Sequence, residues 1–270
     1  MDNNCYLECD DFAYIRRCSN ENCNSDEFEG HTHPYHEIYI SVSGKTRFVT
    51  EGVSFNLNPY DILIIPPYKL HLSQPKSEAY FDSIIIKVFP SMYHGIYSDE
   101  IIDMFKNSDH SNSKIPGHIV KRSEIPQILE YIQSHINDNN PYVLPVIRSK
   151  IFELLYRLCS NFKFETISEP DGIIQQVIDY IDHNLNNCMS ADGICEHFNH
   201  SGRQLNAIFK KNTGITLSKY IDLKKMQKAI DLHKNGHSLI HASIEAGFSS
   251  YEAFAYLYKK EYGTSPRKNR

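Results

Sequence analysis

From Ile38 to about Val88, apolar and polar positions alternate in short runs: IYISVSG, TRFVTEG, VSFNLNP, DILIIPP and FDSIIIKVF. Gly and Asn-Pro pairs punctuate them. Such runs, rich in β-branched residues and broken by turn formers, predict an antiparallel barrel or sandwich. The period then changes from two to about 3.6. Ile125, Ile128, Leu129, Ile132 and Ile136 fall at helical spacing, as do Ile147, Ile151, Leu154, Leu155 and Leu158. These predict two amphipathic helices joined across NDNNPY, whose apolar stripes either cover the barrel or pair with a second copy to make a homodimer. A stretch of mixed polarity, NFKFETISEPDG, reads as a linker. Beyond Gly172 only helix signals occur: Ile173, Ile174, Val177, Ile178, Ile181 and Leu185 mark one helix, and a cluster of short helices follows Ser190. The expected fold is therefore α+β: an antiparallel β-barrel with a helical pair over residues 1–165, then an all-α domain over residues 171–270.

The all-α part contains a repeat. FKKNTG (Phe209 to Gly214) recurs as YKKEYG (Tyr258 to Gly263), each copy ending a helix with Gly beyond its last turn. SGRQ (Ser201 to Gln204) and SSYE (Ser249 to Glu252) read as the matching starts, both capping boxes. A short helix and a tight turn precede each: ADGICEHF with NH, and LIHASIEA with GF. Short helix, turn and second helix is the helix-turn-helix plan, in which the second helix enters the DNA major groove. Two units, joined by one long helix from about Leu217 to Lys234, would meet successive major grooves of duplex DNA.

Within the first reading helix, Leu205, Ile208 and Phe209 are spaced to be core, leaving Arg203, Asn206 and Ala207 outward beside the cap partner Gln204. In the second, Phe254, Leu257 and Tyr258 take the core, leaving Tyr251, Glu252, Ala255 and Tyr256 outward. Arg suits guanine, Asn suits adenine, and Tyr or Ala can touch a thymine methyl; Glu252 can accept from cytosine, with its cap role competing. Ser201, Lys210, Lys211, Ser249, Lys259 and Lys260 are the expected phosphate contacts, although surface lysines have an ordinary solvated reading too.

Charge agrees weakly with this reading: residues 171–270 hold 13 Lys and Arg against 10 Asp and Glu, and the remainder holds 15 against 23. The seven cysteines form no C-x-x-C pair and are odd in number, which suits a reducing compartment and excludes a cysteine zinc knuckle. No apolar run approaches the roughly 18 residues of a membrane span, and the acidic start MDNNCYLECDD is no export signal. A cytoplasmic protein without a membrane partner is expected.

The remaining chemistry lies in EGHTHPYHEIYISVSG, where His31, His33 and Glu37 share one parity of a strand and His36 has the other. With His71, three imidazoles and a carboxylate suit a divalent transition metal with open positions.

Two resemblances follow from these residues. SGRQLNAIFKKNTGITLSKYI and SIEAGFSSYEAFAYLYKKEYGTSP, with Gly247-Phe248 before the second reading helix and Ser265-Pro266 after it, resemble the DNA-binding domain of the AraC/XylS family of bacterial transcription regulators. The histidine stretch resembles the first cupin motif, met by His31, His33, Glu37 and Gly44, with His71 in the place of the second motif's histidine and that motif's Gly and Asn missing. Ala207 and Tyr256 stand where known members place Arg, and Asn269 where an aromatic is usual, so no base preference carries over. The resemblance implies a cupin-like effector-binding and dimerising domain, double-stranded promoter DNA as partner, RNA polymerase as a partner if the protein activates, and no enzymatic activity. His31, His33, Glu37 and His71 are then expected to line a pocket for a small-molecule effector, commonly a sugar in this family, or to hold a metal. The alternative is a metal-dependent cupin enzyme or a metal sensor.

Overall fold

The computed structural model describes residues 5–19, 29–51, 53–75, 80–93, 113–138, 140–161, 165–166, 172–185 and 190–267. Eight strands build two antiparallel sheets: β1 (Cys5–Glu8), β2 (Phe12–Ser19), β3 (His36–Ser43), β4 (Thr46–Thr50), β5 (Val53–Leu57), β6 (Ile62–Ile65), β7 (His71–Pro75) and β8 (Phe81–Val88). The larger sheet runs β1-β2-β8-β3-β6 and the smaller β5-β4-β7. Ile15, Tyr39, Phe48, Leu57, Leu63, Ile65 and Ile85 fill the space between them.

The expected barrel is not closed. A bulge between Ser41 and Ser43 ends the β3 ladder, and β4 pairs with β5 and β7 instead of continuing along β3. Among the described residues the two sheets therefore pack as a sandwich with separate hydrogen-bond networks.

The outer face of the larger sheet is covered as well. Phe12, Tyr14, Ile38, Ile40, Ile62, Ile64, Ile84 and Ile86 pack with α1 (Gly117–Val120), α2 (Ile125–His135) and α3 (Val143–Asn161) in one cluster. Burial on both faces is why β6 reads ILII rather than alternating. Ile125, Ile128, Leu129, Ile132, Ile147, Ile151, Leu154, Leu155 and Leu158 all have their side chains in this core. Their stripes cover the sheet of their own chain, which corrects the alternative that one of these stripes pairs with a second copy. The linker is only partly described: β10 (Glu165–Thr166) pairs with β9 (Ser113–Lys114), and most of the rest of that stretch lies outside the described residues.

A second core joins α4 (Ile173–Asn184), α5 (Ala191–His197), α6 (Gly202–Thr213), α7 (Leu217–Lys234), α8 (Leu239–Glu245) and α9 (Tyr251–Tyr262). Leu205, Phe209, Tyr220, Met226, Phe254 and Tyr258 are its centre, and Leu70 from the β-rich part enters it. No described helix is long and apolar enough to cross a membrane.

The start of α9 differs from expectation by one residue. Ser201 caps α6 through Gln204 N as expected, but α9 is capped by Ser250, which accepts from Ala253 N at 3.2 Å, not by Ser249. Counting from the left-handed turn residue (Asn199, φ 53°; Gly247, φ 93°) makes Ser249 the match of Ser201. The downstream Phe209/Tyr258 repeat makes it Ser250. The second turn holds one extra residue, and the cap follows the helix it starts.

Leu154→Ala, deleting a fully buried side chain between α3 and the sheet, should lower unfolding free energy by about 2–5 kcal/mol in urea denaturation. A loss near zero would mean that α3 does not cover this face.

Candidate functional site

The site is built on the segment Gly30–His33, which precedes β3 and is tied to β7 by backbone bonds between His31 and His71 at 3.0 and 3.1 Å. His33 donates from Nδ1 to the carbonyl of Tyr35 at 2.8 Å, and His71 from Nδ1 to that of Lys69 at 2.9 Å. Both Nε2 atoms then face the Glu37 carboxylate, at 3.2 and 3.8 Å. All three residues are buried, and neither Nε2 finds a hydrogen-bond partner. Burial pushes the His71 imidazolium down to about 3, leaving a neutral ring with its lone pair inward. Burial alone would raise Glu37, but the imidazoles of His33, His71 and His31 around it hold it down to about 2. Lone pairs converging without a donor call for a shared cation, and backbone-anchored Nδ1 atoms are the usual support of imidazole ligands. His33, Glu37 and His71 therefore fit a divalent transition metal, which when bound supplies a Lewis-acid position for a ligand oxygen. His31 is not one of the three: it is exposed, its ring 4.4 Å from that of His71 and its Nδ1 directed to the carbonyl of Glu29. Pro34 follows a segment that is not continuous strand, so the parity expected for His31 does not carry it inward.

The same segment touches the ends of both reading helices. A Cβ on Gly30 would lie 2.4 Å from the carbonyl oxygen of Thr213, the last residue of α6, and one on Gly214 would lie 2.8 Å from Gly30 N. Only glycine permits this approach, and Gly214 also holds the left-handed φ of 80° that ends α6. Thr32 Oγ1 meets Tyr262 Oη, at the end of α9, at 3.0 Å. Around this contact lies a cleft of about 970 Å³, lined by His31, Thr32, His33, Tyr35, Tyr68 and Phe89 from one side and His233, Lys234, Tyr262 and Thr264 from the other. Aromatic walls with a few polar groups are the usual make-up of a small-molecule site.

Elsewhere on this boundary, Glu51 joins the two cores. Its carboxylate accepts from Tyr220 Oη at 2.7 Å and Leu70 N at 3.2 Å, and pairs with Lys224 at 2.9 Å; Lys224 also reaches Asp182 at 3.0 Å. Burial would raise its pKa, but Lys224 and Lys69, with hydrogen bonds from Lys224 and Tyr220, hold it below the usual carboxylate range. Glu51 sits at φ 44°, a conformation costly for a side-chain-bearing residue, held by these bonds and by its N–H to Leu70 O at 3.2 Å. No sequence pattern singled out Glu51, Tyr220 or Lys224, because their partners lie far apart in the chain.

On the reading helices Arg203, Gln204, Lys210 and Lys211 are exposed on α6, and Glu252, Tyr256, Lys259 and Lys260 on α9. Ser201 and Ser249 lie exposed before them. Two expected outward residues are otherwise engaged. Asn206 Oδ1 accepts from Leu217 N at 3.1 Å, at the start of α7. Tyr251 packs against the second core with the Arg267 guanidinium over its ring at 5.4 Å. Glu252 is one residue too early for a capping box, and the neighbouring backbone N–H and Ser250 hold its carboxyl below the usual carboxylate range.

Residues 194–270 match the helix-turn-helix domain, and residues 17–130 match the AraC-like ligand binding domain. The chain belongs to the AraC/XylS family of transcription regulators. The HTH-type transcriptional activator RhaS of Salmonella paratyphi A is 21 % identical over 245 residues, spanning 89 % of this chain and 86 % of that protein. RhaS of Escherichia fergusonii is 22 % identical over 250 residues, spanning 90 % and 87 %. Among solved structures, ToxT from Vibrio cholerae is similar over 96 % of this chain and 97 % of its own, at 12 % identity and a TM-score of 0.39. An AraC/XylS regulator binds DNA through its paired helix-turn-helix units and a small molecule through its N-terminal domain, and the family is one of regulators rather than enzymes.

Because Glu51 is depressed in the folded chain, the stability it contributes is full above the ordinary carboxylate pKa and is lost as pH falls through the folded value. Glu51→Gln should destabilise the chain at pH 7 by about 3 kcal/mol, since it leaves the buried end of Lys224 with Asp182 alone. The gap between wild type and variant, followed by denaturation across pH, should close toward acid. A gap independent of pH would mean that the carboxylate charge is not what holds the cores.

Proposed function

We propose that this regulator senses a small molecule in the cleft beside His31 and His33 and transmits its presence to DNA by moving the segment Gly30–His33. One observation carries the reading: four consecutive residues supply cleft-lining histidines and the contacts to the C-terminal ends of both reading helices. A ligand that binds the docked and undocked arrangements unequally shifts the population able to meet successive major grooves. The effector contacts His31, His33 and the aromatic walls; its class is a polar, ring-stacking molecule such as a sugar. Glu37 and His71, buried behind His33, orient it and reach the effector directly or through a bound metal.

On DNA, Arg203, Gln204 and Tyr256 are the proposed base readers, with Glu252 beside them. Asn206 and Tyr251 are assigned to the fold by their contacts rather than to bases. Ser201, Lys210, Lys211, Ser249, Lys259 and Lys260 meet phosphate. The protein acts in the cytoplasm as a homodimer through a surface other than the buried helical stripes. Because its RhaS relatives are named activators, RNA polymerase is taken as the further partner.

Anisotropy with duplex DNA from upstream of its own and neighbouring genes, in a salt series, tests the reading. Specific binding that weakens steeply with salt is expected; no duplex affinity at any salt would sink it. Arg203→Ala should cost about 1–3 kcal/mol at the cognate site and relax specificity at one base pair. Equal weakening on all sequences would place Arg203 on phosphate.

A further inference from the structure

HSLIHASIE, from His237 to Glu245, lies outside both the cleft and the reading helices. It forms the last residue of the α7–α8 turn region before the cap, and α8 itself. Ser238 caps α8 by accepting from His241 N at 3.2 Å, which places His237, His241 and Glu245 one helical turn apart on one side. His237 is fixed from behind: its N–H donates to Leu232 O at 3.1 Å, and its carbonyl lies 2.8 Å from His233 Nδ1.

Three donor atoms converge. His237 Nδ1 and His241 Nδ1 lie 3.2 Å apart, His241 Nδ1 and Glu245 Oε2 3.3 Å, and His237 Nδ1 and Glu245 Oε2 3.8 Å. A tetrahedral ion with bonds of about 2.0–2.1 Å to nitrogen and oxygen needs ligand separations of about 3.3–3.4 Å. Two of the three edges are already within about 0.2 Å of that, and the third closes by a rotation of the Glu245 side chain. Two imidazoles and a carboxylate form the donor set of a borderline divalent metal, with a fourth position for water. All three side chains are at least 40 % exposed, so an ion has direct entry.

We infer that His237, His241 and Glu245 form a surface site for a divalent transition metal, zinc in the first instance, on the second helix-turn-helix unit. The bound ion clips the turn that leaves α7 to α8, the first helix of that unit, and so stiffens the attachment of the second reading helix to the long helix it shares with the first. The site is separate from His33, Glu37 and His71.

The test uses the full chain without an affinity tag, stripped with chelator and titrated with Zn²⁺ against a competing indicator. Wild type is compared with His241→Ala and with Glu245→Gln, both at exposed positions, and circular dichroism checks that each variant keeps the fold. The expected result is a zinc-binding event that weakens roughly tenfold or more in each variant, while any event at His33, Glu37 and His71 is the same in all three proteins, and a rise in melting temperature on adding Zn²⁺ that is smaller in both variants. Isotherms and melting curves of both variants superimposing on wild type, including the case in which none of the three binds Zn²⁺, would overturn the proposal.

Discussion

The approach of Gly30 to Thr213 and Gly214 is the constraint on which the arrangement of the molecule depends. Two backbones meet there with no side chain between them, so the distance between the β-rich part and the first reading helix is set by main-chain van der Waals contact. Such a contact has almost no give: a methyl group on either glycine would overlap backbone atoms that cannot move without shifting a helix end or a strand bridge. Any displacement of Gly30 is therefore passed on rather than absorbed. The adjacent Thr32 makes a softer contact, one hydroxyl pair with Tyr262, which can break and reform.

Glu51 complements this steric seat with an electrostatic one. A buried carboxylate and a largely buried ammonium gain little net free energy over an apolar pair, because both lose hydration. What they do provide is direction: Glu51 is satisfied only when Tyr220 and Lys224 of α7 are at their present positions, and a docked alternative leaves a charge unpaired. Since α7 carries both helix-turn-helix units, orienting it orients both reading helices. The ion pair thus specifies one arrangement while the glycine contact sets its spacing, and neither requires a large apolar interface that would resist release.

Much of the architecture was legible because it is local or periodic. The helical pair, the long helix ending at Lys234, the doubled unit and its glycine ends all follow from spacing within one stretch of chain. β1, β2 and β7 carry no such signal. In β2, Phe12 through Ile15 are all buried, which erases alternation, and β7 is HLSQP, with no β-branched residue. The closed barrel failed because a bulge is a property of pairing, which sequence alternation does not carry. Of the site, the histidines and Glu37 were visible as a motif and three of the four do converge. The role of Gly30, Glu51 and Lys224 was invisible, since each acts through a partner more than a hundred residues away.

The two reading helices are alike in sequence but not in how they are held. On α6, Asn206 ties the helix face to the start of α7, and Gly214 is pressed against Gly30, so its position is determined at two points by backbone groups. On α9, the matching position to Asn206 is Ala255, which can make no such bond, and the turn before it carries the extra residue Ser249. Its contacts with the β-rich part include the Tyr262 hydroxyl on Thr32 and ring contacts with Tyr68. A change at Gly30–His33 therefore reaches the first helix through a backbone contact and the second through side-chain contacts. The relative placement of the two, which decides whether both can enter successive grooves, is the quantity most exposed to such a change.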